Sequence, residues 1–325
     1  MHTYQQLKDY VNKILSKQTF DKTPKTLFQP IKYILSIGGK RLRPVLTLMS
    51  CELFGGNIKD VIYPALGLEI FHNFTLLHDD VMDKSFMRRG RPTVHQKWNS
   101  NIAILSGDAM SITSYQYITR CKEKHLSKVL EIFNQTAVEV CQGQQLDMEF
   151  EQKGCINIHE YLTMIKHKTA VLFGCSTKIG SILADSPVQE QNRIYDFGVN
   201  LGIAFQLQDD YLDSFGDKKV FGKNIGGDIL ANKKTYLLTK TLETIDSKTK
   251  NILKQYLQNH KADNPQKKID TIIDIYKKMN IDVHIKMEIN KYLNKSLKIL
   301  YQLPIGDNKK NHLLKLINQI EKRNK

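Results

Sequence analysis

Apolar residues recur along the chain at the three- to four-residue spacing that is typical of α-helices. Leu7, Val11, Ile14 and Leu15 form the first such run, over residues 4–15. The same spacing predicts a helix between Pro24 and Gly38-Gly39, and further helices over residues 45–54, 64–82, 102–117, 126–150, 158–183, 192–215 and 230–324, the last with breaks near Pro265 and Pro304. The sequence contains no alternating strand pattern bounded by hairpin turns. We therefore predict an all-α protein, a helical bundle that forms a single domain over residues 1–325.

Two acidic motifs of the same form interrupt the apolar helical pattern. Each has two adjacent aspartates and a third one three residues later, and the six residues are Asp79, Asp80, Asp83, Asp209, Asp210 and Asp213. On a helix the first and third members of each motif lie one turn apart, where two carboxylates repel each other. A bound cation would relieve that repulsion, and Mg²⁺ is commonly held by carboxylates together with substrate phosphates. All six aspartates are therefore predicted ligands of a Mg²⁺–diphosphate site.

Basic residues cluster near both acidic motifs. The clusters are Lys40-Arg41-Arg43, Arg88-Arg89, Lys166-Lys168, and Lys223 with Lys233-Lys234. Guanidinium groups bind phosphate oxygens in a bidentate manner, and the nearby Gly38-Gly39 and Gly226-Gly227 pairs allow close approach of the backbone to phosphate. These cations exceed what one diphosphate needs, which indicates two anionic substrates.

The helix that leads into Asp79 predicts the floor of an apolar cavity. Thr75 lies one turn before Asp79, and Phe74 lies five residues before it. Because a helix rises ~5.4 Å per turn, close to one five-carbon isoprene unit, a hydrocarbon chain running along this helix would soon meet Phe74. Phe74 and Thr75 are therefore predicted to set the length of the chain that the cavity accepts.

Composition bears on the cellular compartment of the protein and on the partners that it could bind. Five widely spaced cysteines lack metal-ligand spacing and favour a reducing compartment, and no apolar run is long enough for a membrane span, so we expect a cytoplasmic protein that is not an integral membrane protein. Of the net charge of +15, residues 248–325 carry +11, from 18 Lys or Arg against 7 Asp or Glu. Nucleic acid, anionic lipid and a plain solvated surface could each explain this charge. Because the lysines are dispersed and no aromatic stacking platform accompanies them, the solvated surface is favoured and no nucleic acid is expected.

The motifs together resemble those of trans-type isoprenyl diphosphate synthases, also called polyprenyl synthetases. The resemblance covers about residues 38–235. It is carried by GGKRLRP (38–44), LHDDVMD (77–83), RRGRPTVH (88–95), GDA (107–109), GQ (143–144), KTA (168–170), FQLQDDYLD (205–213) and GKNIGGD (222–228).

The resemblance implies the isoprenoid synthase fold, usually as a homodimer, and head-to-tail condensation of isopentenyl diphosphate with an allylic diphosphate. It implies Mg²⁺, three ions per active site, with Asp79, Asp83 and Asp209 as the ligands that act in catalysis. Motif position assigns Arg88, Lys168, Lys223 and Lys233 to the allylic diphosphate, Lys40, Arg41, His72 and Arg89 to isopentenyl diphosphate, and Thr169 and Gln206 to the reacting centre. Asn232 stands where the family usually has glycine, which leaves open whether Lys233 or Lys234 contacts phosphate.

The aromatic residue five positions before the first motif goes with short products in this family. The resemblance therefore favours farnesyl or geranylgeranyl diphosphate. A longer-chain synthase, a terpene cyclase and a non-catalytic subunit of a heteromeric synthase are the alternatives. The second aspartate motif argues against a cyclase, and the intact set of motifs argues against a non-catalytic subunit.

Overall fold

The computed structural model describes residues 1–216, 225–258 and 264–321. Helices dominate these residues. In chain order they are α1 (Tyr4–Ser16), α2 (Lys25–Ser36), α3 (Leu42–Leu53), α4 (Ile58–Met82), α5 (Val94–Lys97), α6 (Ser100–Ile118), α7 (Glu123–Gln152), α8 (Ile158–Ile165), a π-helix (Lys166–Ala170), α9 (Val171–Leu183), α10 (Val188–Phe215), α11 (Gly227–Leu230), α12 (Tyr236–Thr244), α13 (Ser247–Gln258), α14 (Pro265–Lys278), α15 (Ile281–Gln302) and α16 (Asp307–Glu321).

A small hairpin follows α4, in a segment whose sequence has no alternating strand pattern. Strands β1 (Met87–Arg88) and β2 (Arg91–Pro92) pair antiparallel, with Arg88 opposite Arg91. The turn residues Arg89 and Gly90 both have positive φ angles, of 52° and 74°. Two consecutive positive φ angles are typical of the tight turns that suit a two-residue hairpin. Among the described residues these four are the only ones in strands, so the prediction of an all-α protein is confirmed.

Helix α4 begins earlier than Pro64, where the sequence places its start. The Asn57 side chain accepts a hydrogen bond from the Lys59 backbone N–H at 3.0 Å and caps the helix, so that Pro64 lies inside it. The cap satisfies a backbone donor that a helix terminus otherwise leaves unpaired. This stabilisation offsets the hydrogen bond that Pro64, which has no backbone N–H, cannot donate.

The segment predicted as one helix over residues 158–183 is divided into three. A single π-helical turn, Lys166–Ala170, separates α8 from α9. Such turns insert a residue into an α-helix and often occur at functional sites. This turn carries two of the predicted site residues, Lys168 and Thr169.

Two compact units divide the chain, and each collects several segments. The first comprises Met1–Gln135, Phe173–Tyr195 and Leu300–Leu316. In it, α4 packs against α3 and α6, and Leu66, Leu68 and Ile70 of α4 are fully buried. Because α4 contacts neighbours on several sides, its sequence is apolar around most of the helix circumference.

The second unit comprises Thr136–Leu172, Asp196–Ile299 and Ile317–Lys325. Among its described residues, α8 packs against α12, and α11 packs against α14. Its core includes Phe197, Leu207 and Leu237, all without solvent exposure. The expectation of a single domain over residues 1–325 stays a prediction.

None of the described helices combines the length and the apolar character that crossing a bilayer requires.

Candidate active site

The first acidic motif lies at the C-terminal end of α4. Asp80 is buried at 2% exposure and accepts hydrogen bonds from Arg88, whose Nε lies 2.9 and 2.8 Å from the two carboxylate oxygens. Burial raises the pKa of Asp80, and the bonds from Arg88 act against that rise. Asp79 and Asp83 are only partly buried. They are therefore the members of this motif that are better placed to meet a ligand.

Arg88 bridges the hairpin and the acidic motif. Its Nη2 atom lies 2.7 Å from Asp80 and 3.7 Å from Asp79. The guanidinium is thus held beside the carboxylates by a charge-assisted pair. This is the location expected of a residue that binds a diphosphate together with a metal ion.

A cluster of cationic side chains surrounds His72, which lies two turns before Asp79 on the same face of α4. Burial lowers the pKa of His72 well below its usual value, and the positive charges of Arg43, Arg89, Arg88 and Arg41 lower it further. His72 is therefore a neutral imidazole within a strongly positive environment. Such an environment suits an anionic ligand with several charges.

Gly39 allows Arg89 to enter this cluster. The Arg89 guanidinium donates a hydrogen bond to the Gly38 carbonyl oxygen, and a Cβ atom at residue 39 would lie 2.7 Å from Arg89 Nη1. Gly39 also has a φ of 139°, which side-chain-bearing residues rarely adopt. The glycine pair predicted to approach a phosphate thus also makes room for a predicted phosphate ligand. Lys40, the next residue, is exposed.

Arg41 has a different environment from the one that its predicted role requires. It is buried at 4% exposure, and its Nη1 lies 2.6 Å from Glu69. Its Nε donates to the Asn12 side chain at 3.1 Å, and its Nη2 donates to the Leu35 carbonyl at 2.7 Å. These bonds hold Arg41 inside the protein. Its role in binding isopentenyl diphosphate stays a prediction, and the structure offers Arg43 as a second candidate.

Aromatic rings extend from Phe74 into the first unit. Ring centroids are separated by 5.4 Å for Phe74 and Phe71, by 5.2 Å for Phe71 and Phe133, and by 4.9 Å for Phe133 and Tyr115. On its other side, Phe74 contacts the ring of His78 at 4.8 Å. Phe74 is thus supported by further rings rather than standing alone. Thr75 donates its hydroxyl proton to the His72 carbonyl at 2.8 Å.

The second acidic motif lies on α10 in the second unit. Asp210 accepts hydrogen bonds from the Tyr161 hydroxyl at 2.6 Å, the Tyr236 backbone N–H at 3.0 Å and the Gln206 side-chain amide at 3.0 Å. Burial raises the pKa of Asp210 to about 7, and the three hydrogen bonds oppose the rise. Asp209, its neighbour, is only partly buried. The two motifs therefore share a pattern, in which the middle aspartate is engaged by protein groups.

The third member, Asp213, anchors the start of α11. Its side chain accepts a hydrogen bond from the Asp228 backbone N–H at 3.0 Å, and its carbonyl accepts one from Gly226 N–H at 2.7 Å. The Lys233 backbone N–H in turn donates to the Asp228 carbonyl at 3.0 Å. The motif thus organises the segment that carries Lys233. Lys223 lies outside the described residues.

The π-helical turn presents Lys168 and Thr169. Lys168 Nζ lies 2.5 Å from the Asp147 carboxylate on α7, and the Thr169 hydroxyl donates to Gln206 at 3.0 Å. A Cβ atom at Gly143 would lie 2.1 Å from the Lys168 backbone nitrogen. The glycine of the GQ motif is therefore required for α7 to approach this turn closely.

Sequence reasoning missed three residues that position the predicted ones, namely Glu69, Asp147 and Tyr161. A signal existed for Glu69, because it lies between Leu68 and Ile70 in an apolar stretch and a buried acid needs a partner. Asp147 follows the GQ motif by three residues, which is a weaker signal. Tyr161 carries none, because a tyrosine in an apolar helix usually belongs to the core.

Magnesium ions suit the donors that these motifs present. Among the residues that the structure describes, no three His, Cys, Asp or Glu side chains form a complete metal site by themselves. Mg²⁺ does not need such a cluster, because substrate phosphates and water complete its octahedral shell. Asp79, Asp83 and Asp209 are accessible oxygen donors of the required type. The assignment of the six aspartates as metal ligands stays a prediction.

Comparison with known proteins identifies the family. Residues 24–276 match the family described as Polyprenyl synthetase. The geranylgeranyl diphosphate synthase of Sulfolobus acidocaldarius is 37% identical over 295 residues, which cover 90% of this chain and 88% of that protein. The short chain isoprenyl diphosphate synthase of Methanocaldococcus jannaschii is 40% identical over 244 residues, covering 75% and 74%. A crystal structure of a geranylgeranyl pyrophosphate synthase matches with a TM-score of 0.94 at 42% identity, covering 100% of both chains.

The chain belongs to the polyprenyl synthetase family. The predicted family, the all-α isoprenoid synthase fold and the class of prenyltransferase in isoprenoid biosynthesis are thereby confirmed. Members of this family generally depend on Mg²⁺, in agreement with the oxygen donors described above.

Proposed function

We propose that the protein condenses isopentenyl diphosphate with an allylic diphosphate, head to tail and with Mg²⁺, to give a trans-prenyl diphosphate of the farnesyl or geranylgeranyl type. The observation that carries the proposal is the pairing of partly buried carboxylates with the positive cluster around His72 in the first unit. Carboxylates with a metal ion serve one diphosphate, and the cluster serves a second. The relatives named geranylgeranyl diphosphate synthase support the twenty-carbon product.

The allylic substrate is bound through its diphosphate. Asp79, Asp83 and Asp209 would provide the oxygen ligands for three Mg²⁺ ions, and Arg88 provides a guanidinium beside Asp79. When bound, Mg²⁺ neutralises the charge that builds up on the departing diphosphate. Lys168, Lys223 and Lys233 are proposed for the same diphosphate from their motifs alone.

Isopentenyl diphosphate is bound by the cluster around His72. The allylic carbon–oxygen bond breaks, the double bond of isopentenyl diphosphate supplies the electrons of the new carbon–carbon bond, and the departing diphosphate takes the proton that leaves. The protein therefore supplies position and charge rather than a nucleophile. Lys40, His72 and Arg89 hold the second substrate while this occurs.

Arg43 is proposed as a further ligand of isopentenyl diphosphate. Its charge contributes most among the arginines to lowering the pKa of His72, and its guanidinium stacks over the Phe173 ring at 5.0 Å. Arg41, by contrast, is bonded to Glu69 within the protein. Arg43→Gln should therefore raise the KM for isopentenyl diphosphate and leave the KM for the allylic substrate unchanged. An increase in both KM values would contradict this assignment.

The chain-length floor is proposed at Phe74. The ring lies against Phe71 and His78, so a growing hydrocarbon cannot displace it by a simple rotation. Thr75, the next residue on the helix and one turn before Asp79, is proposed to act with it.

A homodimer is proposed through the outer face of α6. Leu105 and Ile112, which are seven residues apart and so lie on one face, are 60% and 64% exposed, and Ile104 is 45% exposed. Contiguous exposed apolar side chains usually mark an interface. Ile112→Glu should shift the sedimentation coefficient to that of a monomer. Met287→Glu on α15, also at a residue with 64% exposure, is the matched control.

The cytoplasm is the proposed location. All five cysteines are free thiols, and Cys51 and Cys175 are buried. Free thiols are typical of a reducing compartment.

One assay tests the proposed reaction. The purified protein is incubated with isopentenyl diphosphate, Mg²⁺ and each allylic primer in turn, and the products are separated by chromatography. We expect a trans-prenyl diphosphate of fifteen or twenty carbons, and its loss when Mg²⁺ is chelated. No product with any primer would refute the proposal.

A further inference from the structure

Four side chains in the second unit form one chain of hydrogen bonds. The Tyr161 hydroxyl donates to Asp210 Oδ2 at 2.6 Å, the Gln206 amide donates to Asp210 Oδ1 at 3.0 Å, and the Thr169 hydroxyl donates to Gln206 Oε1 at 3.0 Å. The tyrosine is 1% exposed, and the aspartate is 4% exposed. The chain thus runs from the protein interior to the π-helical turn.

The chemistry of the donors fixes the direction of every bond in this chain. Asp210 accepts on both of its oxygens, from the Tyr161 hydroxyl and the Tyr236 backbone N–H on Oδ2 and from the Gln206 amide on Oδ1, so Gln206 turns its NH₂ group towards Asp210 and its carbonyl oxygen towards Thr169. The Thr169 hydroxyl must then donate its proton to Gln206. The lone pairs of the Thr169 oxygen then point away from Gln206 and remain available as acceptors.

We propose that Tyr161 is a positioning residue that holds Asp210 and, through Gln206, orients the Thr169 hydroxyl at the reacting centre. The proposal rests on the proposed prenyl transfer and assigns Asp210 to this network rather than to direct metal binding. An oriented lone pair is useful there, because positive charge develops on the allylic carbon when its diphosphate departs.

The tyrosine supplies one of the three hydrogen bonds that hold the buried Asp210 carboxylate. Asp210 receives two further hydrogen bonds, from the Tyr236 backbone N–H on Oδ2 and from the Gln206 amide on Oδ1, both at 3.0 Å, and the tyrosine bond is the shortest of the three. The tyrosine restrains the carboxylate about its terminal torsion from another helix, α8. Without it, the carboxylate keeps only two of its three donors, one of which is Gln206 itself, so Gln206 and the Thr169 hydroxyl beyond it are held less firmly.

The test measures steady-state kinetics of Tyr161→Phe with both substrates and over a range of Mg²⁺ concentrations. We expect kcat to fall about tenfold, which corresponds to one lost hydrogen bond acting on the transition state. Both KM values and the Mg²⁺ concentration for half-maximal activity should stay within about twofold of wild type, because no substrate or metal contact is removed.

A second arm separates positioning from mere stability. Tyr117→Phe removes a hydroxyl that donates to Gln18 at 2.8 Å in the first unit, and it should lower the Tm without lowering kcat. Tyr161→Phe combined with Thr169→Val should lose little more activity than Thr169→Val alone, because both act through one chain of bonds. Fully additive losses, or a wild-type kcat in Tyr161→Phe, would overturn the proposal.

Asp210→Asn provides a second route if Tyr161→Phe does not fold. The asparagine NH₂ group would face Gln206 and force its amide to flip, which turns Thr169 from donor to acceptor. We expect kcat to fall with the Mg²⁺ requirement unchanged. A tenfold or larger increase in the Mg²⁺ concentration for half-maximal activity would show instead that Asp210 binds the metal. If wild-type protein makes no prenyl product at all, the proposed function fails independently of this network.

Discussion

The Arg41 guanidinium donates to the Glu69 carboxylate at 2.6 Å, and both side chains are almost completely buried. Arg41 has a left-handed φ of 54° immediately before α3, while Glu69 lies in the middle of α4. Asn73, one turn further along α4, donates to the same carboxylate at 3.1 Å. The pair therefore ties the Gly38–Lys40 segment to the helix that carries His72.

Arg41→Met should destabilise the protein by about 3–5 kcal/mol, because it leaves the Glu69 carboxylate buried and without its cation. Chemical denaturation followed by circular dichroism measures the free energy of unfolding. Lys32→Met is the matched control, since the ion pair of Lys32 with Asp21 is exposed and should contribute only about 0–1 kcal/mol. Equal losses in the two variants would contradict the structural role.

Asp209→Ala should lower kcat by at least about a hundredfold at saturating Mg²⁺, because an oxygen ligand of the metal is lost. Asp196→Ala, an exposed position on the same helix, should keep wild-type activity. Circular dichroism of both variants checks that the helical content is unchanged. Wild-type kcat in Asp209→Ala would exclude this residue from catalysis.

Phe74→Ala should lengthen the product by at least one isoprene unit, because it removes the aromatic ring that is proposed to limit the length of the hydrocarbon chain. Chromatography of the products after dephosphorylation measures the change. Phe20→Ala, which removes another buried ring of the first unit, should leave the product distribution as in wild type. If Phe74→Ala also gives the wild-type distribution, Phe74 is not the floor.

The contribution of His72 to the stability of the protein should increase with pH through the range just below about 6.5, the usual pKa of histidine. The folded-state pKa of His72 is lowered by burial and by Arg43, Arg89, Arg88 and Arg41, so in this range the unfolded chain binds a proton that the folded protein does not. Protonation of His72 therefore favours the unfolded state, and its contribution to stability is lost as the pH falls. Urea denaturation at pH 5.5 and 7.5 should show a smaller difference for His72→Gln than for wild type. An identical difference would show that His72 is not responsible.

Gly143→Ala should lower kcat by about a hundredfold, because the new methyl group would lie 2.1 Å from the Lys168 backbone and force the π-helical turn to shift by about an ångström. Gly154→Ala is the control, since a methyl group there meets no atom within 4 Å. Unchanged kinetics in Gly143→Ala would indicate that the turn can relax without moving Lys168 or Thr169.

Much of the fold followed from the sequence, because helical spacing of apolar residues is a local property. It located most of α1, α3, α6, α7 and α10 to within a few residues. It failed where a local rule was overridden, as at Pro64, which lies inside α4, and at Arg89-Gly90, where two positive φ angles make a hairpin. The spacing of apolar residues gave no indication of the π-helical turn at residues 166–170.

The sequence by itself determined the chemical class of this protein, because the spacing of the aspartates and the identity of the nearby cations are written in the order of residues. Only the tertiary structure decided what each charged group does. Asp79 and Asp80 are neighbours in one motif, yet Arg88 lies closer to Asp80. Arg41 and Arg43 belong to one basic cluster, yet it is Arg41 that pairs with Glu69. The physical reason is that burial and partners depend on contacts between segments far apart in the chain, which no local pattern encodes.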